Sequence, residues 1–351
     1  MASDDSAPVH KRRPRYPGKH PRRYHEKYKE LNPERYAADV QKVLDAGKTP
    51  AGMHRPIMVD EVLQVLAPKA GDLAVDCTLG FGGHARAILE RIEPGGRLIG
   101  LDVDRIELPR TEQRLRAAGF GDAVFVARMR NFAGIAQVLA AENASAADVV
   151  FADLGASSMQ LDNPERGFTY KQPGPLDMRM NPARGEPASQ LLTHLSEAKL
   201  ARLLDDNADE PDAPVIARAL KARAVPTTVD LVQRVRSAIL DERPKASDGE
   251  VAKAVRRTFQ ALRIAVNDEF SALDALLRQL PQCLRPGGRF AVLTFHSGED
   301  RRVKKALEAG LRDGLYSSIA DEVVRPSSGE MRANPRAAAA KLRWARRKSE
   351  V

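Results

Sequence analysis

The chain has 351 residues, 43% of them hydrophobic, which allows one large domain or two smaller ones around a buried core. It has no apolar run near the roughly 18 residues of a membrane span, no signal-peptide pattern and two cysteines, Cys77 and Cys283, which excludes a spanning helix and a disulfide scaffold and points to the cytoplasm. The net charge of +9 sits at the ends: His10–Tyr36 carries ten Lys/Arg against three acids and Arg325–Lys348 eight against one, leaving about −5 (9 − 7 − 7) for the rest, a pattern that suits a polyanionic partner, nucleic acid first.

Residues 1–50 read as a basic, largely disordered extension. Stretches such as Arg13-Pro14-Arg15-Tyr16-Pro17 lack apolar periodicity, a short helix is expected near Pro33–Ala46, and the tyrosines are suited to stacking on bases. From Ile57 the pattern predicts a helix at Met58–Leu66, a strand at Leu73–Val75, a helix at Ala85–Ile92 and a strand at Arg97–Asp102. A helix at Ile106–Ala118, a strand at Ala123–Ala127, a helix at Ile135–Ala141 and a buried strand at Asp148–Asp153 follow. Strands alternating with helices predict a parallel α/β sheet. The rhythm breaks over 163–257, where Pro/Gly-rich loops precede helical runs at Ala188–Asp205, Val215–Ala224, Val229–Leu240 and Glu250–Arg257. Phe259–Leu284 then reads as one long helix, and a Pro286-Gly287-Gly288 turn leads into a strand at Arg289–Phe295. The architecture expected is a Rossmann-like α/β domain in two pieces, 51–162 and 258–351, interrupted by an inserted helical domain, 163–257, for substrate recognition.

The first strand ends at Asp76, and Gly80, Gly82 and Gly83 follow before a helix. Glycines there let the backbone turn tightly and approach a ligand. Asp102 closes the next strand, 22 residues after Gly80, where a carboxylate can accept ribose hydroxyls. The spacing Gly80-x-Gly82-x-x-Ala85 also fits a dinucleotide fingerprint, so a NAD(P)-dependent oxidoreductase stays open. Asp76 four residues before the glycines, the Gly83-His84 pair and the acidic Asp153-Leu154-Gly155 after the fourth strand favour S-adenosylmethionine. No metal-ligand spacing is present.

Four further segments are too particular for packing alone: Asp153–Asp162; Arg166–Tyr170 with Gly174–Met180; Thr258–Glu269; and Phe295–Arg301. With these, the chain resembles the bacterial RsmH (MraW) family of 16S rRNA cytosine-N4 methyltransferases from about His54 to Arg343, with the 50-residue extension outside the resemblance. The resemblance implies a Rossmann-like class I S-adenosylmethionine-dependent fold and methylation of N4 of one cytidine in the decoding centre, in the P-site region of the small ribosomal subunit. It implies cofactor contacts at Gly82, Gly83, His84, Asp102, Phe132, Asp153 and Gln160. Asp153, His296 and Glu299 are candidate catalytic residues, and Arg166, Arg179, Arg263 and Arg301 candidate phosphate contacts. The partners implied are 16S rRNA and the small subunit, no membrane, and an optional homodimer. A non-catalytic RNA-binding assembly factor on the same scaffold remains the alternative. The chain departs from the family at Ala156, Asn207–Glu210, Gly298 and Ala338–Ala340, which bears on RNA recognition more than on the cofactor.

Overall fold

The computed structural model describes residues 56–349; the basic extension and its expected helix near Pro33–Ala46 lie outside them. The elements in chain order are α1 (Val59–Leu66), β1 (Leu73–Asp76), α2 (Gly83–Ile92), β2 (Arg97–Asp102), α3 (Glu107–Ala117), β3 (Phe125–Met129), α4 (Ile135–Ala141), β4 (Ala147–Asp153) and the short α5 (Ser158–Asp162). There follow α6 (Ala188–His194), α7 (Glu197–Ala208), α8 (Ala213–Lys221), α9 (Thr228–Glu242), α10 (Asp248–Asn267) and α11 (Glu269–Cys283). The chain closes with β5 (Leu284–Thr294), α12 (Ser297–Arg312), β6 (Tyr316–Ile319), α13 (Ser328–Ala333) and β7 (Lys341–Arg347).

The seven strands form one sheet in the order β3-β2-β1-β4-β5-β7-β6. β1 to β5 run parallel, and β7 runs antiparallel to both its neighbours. This is the Rossmann-like α/β class expected. β4 shows why the apolar run was readable: Val149 and Phe151 pack into a core with α1, α2 and α3, while Val150 and Ala152 pack into one with α4, α11 and α12. A parallel strand buried on both faces needs a nearly continuous apolar sequence. The strand order reverses between β1 and β4, which opens a crevice at the carboxyl ends of the strands.

A third core, with Leu176, Leu200, Ile216, Leu231 and Phe259 among its members, serves the helices α6 to α10. α10 runs unbroken across 257/258, where the sequence pattern changes domain. Two long helical readings divide. Ala188–Asp205 is α6 and α7, because Leu195 is extended and Ser196 caps the second helix by accepting the Lys199 N–H. Phe259–Leu284 is not one helix: Asp268 takes the left-handed conformation at φ 52°, ending α10 and starting α11. β7 lies in the basic C-terminal stretch and pairs with β5 and with β6 before it, which the sequence gives no reason to expect; there Lys341 and Arg343 both bond Asp300 at 2.6 Å.

Candidate active site

Four acids gather at the carboxyl edge of the sheet. Asp76 ends β1, Asp102 ends β2, Asp153 ends β4, and Glu299 stands in the first turn of α12, just after β5. Thr78 ties β1 to β4: its N–H donates to Asp76 Oδ1 at 3.0 Å, and its hydroxyl accepts the Asp153 N–H at 2.6 Å.

The glycine loop is built around Asp102. Its Oδ2 accepts the Gly80 N–H and its Oδ1 the Asp104 N–H, both at 2.8 Å. A carboxylate has roughly four acceptor positions, so both oxygens keep capacity for a ligand's hydroxyls. Gly82 lies at φ 84° and caps α2, which starts at Gly83, two residues earlier than the pattern suggests. A Cβ on Gly83 would fall 2.2 Å from Pro56 Cγ, so the backbone here can come close to a neighbour only as glycine. His84 is 7% exposed, and its ring lies 4.6 Å from that of Phe151. Its Nε2 lies 2.9 Å from the Ile57 carbonyl, which makes Nε2 the protonated nitrogen and turns the bare Nδ1 toward Asp153 Oδ2 at 3.7 Å. Phe132 opens a 3₁₀ turn after β3, half-buried against the sheet core.

Burial dominates the electrostatics. It pushes Asp76 up to about 7 against the Thr78 N–H bond, with Asp102 adding to the rise. It pushes Asp102 up to about 6. Asp153 rises to about 8 through burial and the charges of Asp76 and Glu299, although 30% of its side chain stays accessible from the crevice. Burial lowers His84 to about 4, so the ring is neutral at physiological pH. Among the described residues, no Lys or Arg forms an ion pair with Asp76, Asp102 or Asp153. The crevice therefore holds acids whose ionisation no neighbouring basic side chain among the described residues assists.

His296 and Glu299 are bound to each other. His296 caps α12, its Nδ1 accepting the Glu299 N–H at 3.4 Å. Glu299 Oε2 accepts the N–H of Phe295 at 2.8 Å and of His296 at 3.4 Å. Oε1 lies 3.0 Å from His296 Nε2, but off the line a hydrogen bond requires. Burial pushes Glu299 up, yet the contacts with His296, Arg263 and the Phe295 N–H outweigh it and hold the carboxyl below its usual range. Gln160 is also engaged at both ends, accepting the Ser157 N–H at 2.9 Å and donating to Asp104 at 2.7 Å. Sequence reasoning passed over Asp104. The signal was there, a second aspartate two residues after a strand-ending one, but that spacing usually marks a helix start.

The four arginines read as phosphate contacts are all in ion pairs: Arg166 with Asp104, Arg179 with Asp177, Arg263 with Glu269 and Arg301 with Asp209. Arg166 is 8% exposed, so burial removes it from any RNA surface. Gly298 gains a reason: a Cβ there would lie 2.7 Å from the Phe270 ring, which packs beside His296.

Comparison with known proteins bears on this site. The model of the MraW methylase family matches residues 51–348. Ribosomal RNA small subunit methyltransferase H 1 of Lachnoclostridium phytofermentans is 45% identical, covering 98% of this chain and 94% of its own. The protein of the same name from Agathobacter rectalis is 46% identical over 96% of this chain and 97% of its own. Ribosomal RNA small subunit methyltransferase H of Symbiobacterium thermophilum is 41% identical over 83% and 95%. The family model leaves residues 1–50 outside it, as expected, whereas the first two alignments reach into them.

Proposed function

The chain belongs to the MraW methylase family, and from that premise we propose that it methylates N4 of one cytidine in the decoding centre of 16S rRNA, in the P-site region, with S-adenosylmethionine as donor. The observation that carries the choice of donor is the acid cluster Asp76, Asp102 and Asp153, which has no basic partner among the described residues. S-adenosylmethionine brings a sulfonium and an ammonium to such a site and supplies an activated methyl group. A dinucleotide would bring a pyrophosphate, whose charge would oppose the ionisation of these acids rather than favour it. Asp102 is oriented by two N–H donors to accept ribose hydroxyls, the first turn of α2, entered through Gly82, presents the N–H groups of Gly83 and His84, and Phe132 offers an apolar wall to the adenine.

Cytosine N4 is a weak nucleophile because its lone pair is delocalised into the ring. The protein's part is to align it and to accept its proton as the C–N bond forms. Asp153 is the group suited to this. Its raised pKa lies near the working pH, where an acceptor of protons is most effective, and neutral His84 presents a lone pair beside it. His296 and Glu299, joined in the cap of α12, position the start of that helix against the crevice. Gln160 acts on the cofactor through Asp104. The target base has to leave its stack to reach Asp153.

Calorimetry with S-adenosylmethionine and with NADH tests the donor; binding of NADH alone would overturn the reading. Mass spectrometry of 16S rRNA from a deletion strain tests the product: one N4-methylcytidine should disappear. If Asp102→Ala abolished donor binding while rRNA methylation in cells persisted, the chain would be an assembly factor rather than the enzyme.

A further inference from the structure

Asp104 is 1% exposed and uses both carboxylate oxygens. Oδ1 accepts the N–H groups of Ile106 at 2.9 Å and Glu107 at 3.3 Å, which fixes the start of α3. Oδ2 accepts Gln160 Nε2 at 2.7 Å and Arg166 Nη1 at 2.9 Å. The Asp104 N–H donates to Asp102. Arg166 spends its other nitrogen on the carbonyls of Arg179 at 3.2 Å and Met180 at 2.9 Å. Gln160 Oε1 holds the Ser157 N–H, in the turn that follows Asp153. Three stretches of chain thus meet at one buried carboxylate: the turn 102–107, the turn 153–160 and the loop 166–180 that leads into the inserted helices.

A buried ion pair is poor evidence of stability, because the desolvation of both charges offsets their attraction. Its better-attested use is to fix one arrangement among several. Here the arrangement fixed is that of the ribose-side carboxylate relative to the substrate-side loop. Resting on the reading that Asp102 takes the ribose of S-adenosylmethionine, we propose that Asp104 is a positioning residue that sets the cofactor carboxylate Asp102 and the substrate-side loop 166–180 in one register, with Arg166 as its arm toward that loop.

The test compares full-length wild type with Asp104→Asn, Arg166→Lys and the double variant Asp104→Asn/Arg166→Met. The readouts are the Kd for S-adenosylmethionine by calorimetry, the KM for unmethylated small ribosomal subunits, and the melting temperature. A lysine keeps the pairing with Asp104 but cannot also reach two carbonyls. Arg166→Lys should therefore raise the KM for RNA about fivefold or more and leave the donor Kd within about twofold. Asp104→Asn should weaken donor binding about tenfold, the scale of one charge-assisted hydrogen bond. The double variant leaves no unpaired buried guanidinium, so its melting temperature should return toward wild type while donor binding stays weak. Recovery of both together would show a merely structural carboxylate and overturn the proposal. So would unchanged donor binding in Asp104→Asn, or equal losses of donor and RNA binding in Arg166→Lys. If wild type itself bound NADH and not S-adenosylmethionine, the cofactor reading would fall instead.

Discussion

At the scale of single residues, the site is defined by groups held away from their ordinary chemistry. Gly83 has no room for a methyl group, since Pro56 occupies that space. Gly83→Ala should cost about 1–3 kcal/mol of stability through overpacking, read as a shift in denaturant midpoint, and should weaken donor binding by displacing the start of α2. Asp76 and Asp153 give a pH signature. Both titrate in the native protein near 7 and 8, well above the ordinary value of 3.8 that the unfolded chain retains. Between pH 6.5 and 8.5 the native state therefore holds protons that the unfolded state has released, so stability falls as pH rises through that window. His84, lowered to about 4 from 6.5, acts below the window, where it makes stability fall as pH drops. A cationic ligand prefers the ionised acids, so donor affinity should rise over the same interval. Melting curves with and without S-adenosylmethionine at pH 6.5 and 8.5 check both: the free protein should melt lower at 8.5 and gain more from the ligand there. An opposite trend would remove the acid cluster from the account.

At the scale of elements, the junction of α10 and α11 shows how a side chain beyond the local pattern decides a boundary. The sequence from Phe259 to Leu284 is helical in period and contains no glycine. The break comes from Asn267 and Asp268. Asn267 donates to the carbonyls of Met178 and Arg263 at 2.8 Å and accepts the Met180 N–H at 2.7 Å. That anchors the loop 178–180 to the end of α10, while Asp268 takes a left-handed turn that aspartate tolerates better than most residues. Asn267→Ala should cost about 1–3 kcal/mol, because a half-buried N–H and a carbonyl lose their partner, and hydrogen exchange should rise across 176–182 before it rises in the sheet. Gly298 belongs to this scale as well. The Phe270 ring fills the space a side chain at 298 would need, and Arg302 stacks on that ring 4.1 Å from its centre.

At the scale of the whole molecule, the sheet brings Asp76, Asp102 and Asp153 together because β1, β2 and β4 are neighbours in space though β4 follows β1 by some 70 residues. The inserted helices keep a separate core, and Asp209 bridges from the end of α7 to Ser297 and Arg301 on α12. This bridge is where the inserted helices meet the start of α12. The basic extension is expected to act through the long-range field of its charge. Removing residues 1–50 should weaken affinity for 16S rRNA and flatten its dependence on salt, since each phosphate left unneutralised lowers the slope by roughly 0.7–0.9. Titrations at several salt concentrations check this; an unchanged slope would leave the extension without a part in RNA binding.

The alternating rhythm, the buried strand at Asp148–Asp153, the glycine loop and the carboxylates Asp76, Asp102 and Asp153 were legible in the sequence by itself, because they rest on local period and on residue types that few other positions require. The tertiary structure alone decided that those carboxylates share one crevice without a basic side chain among the described residues, and that His296 and Glu299 together cap the start of α12. It also decided that Gln160 and Arg166 meet at Asp104. The physical reason is common to all three. Ionisation and hydrogen-bond partnership depend on burial and on neighbours far away in sequence, and local pattern carries no information about either.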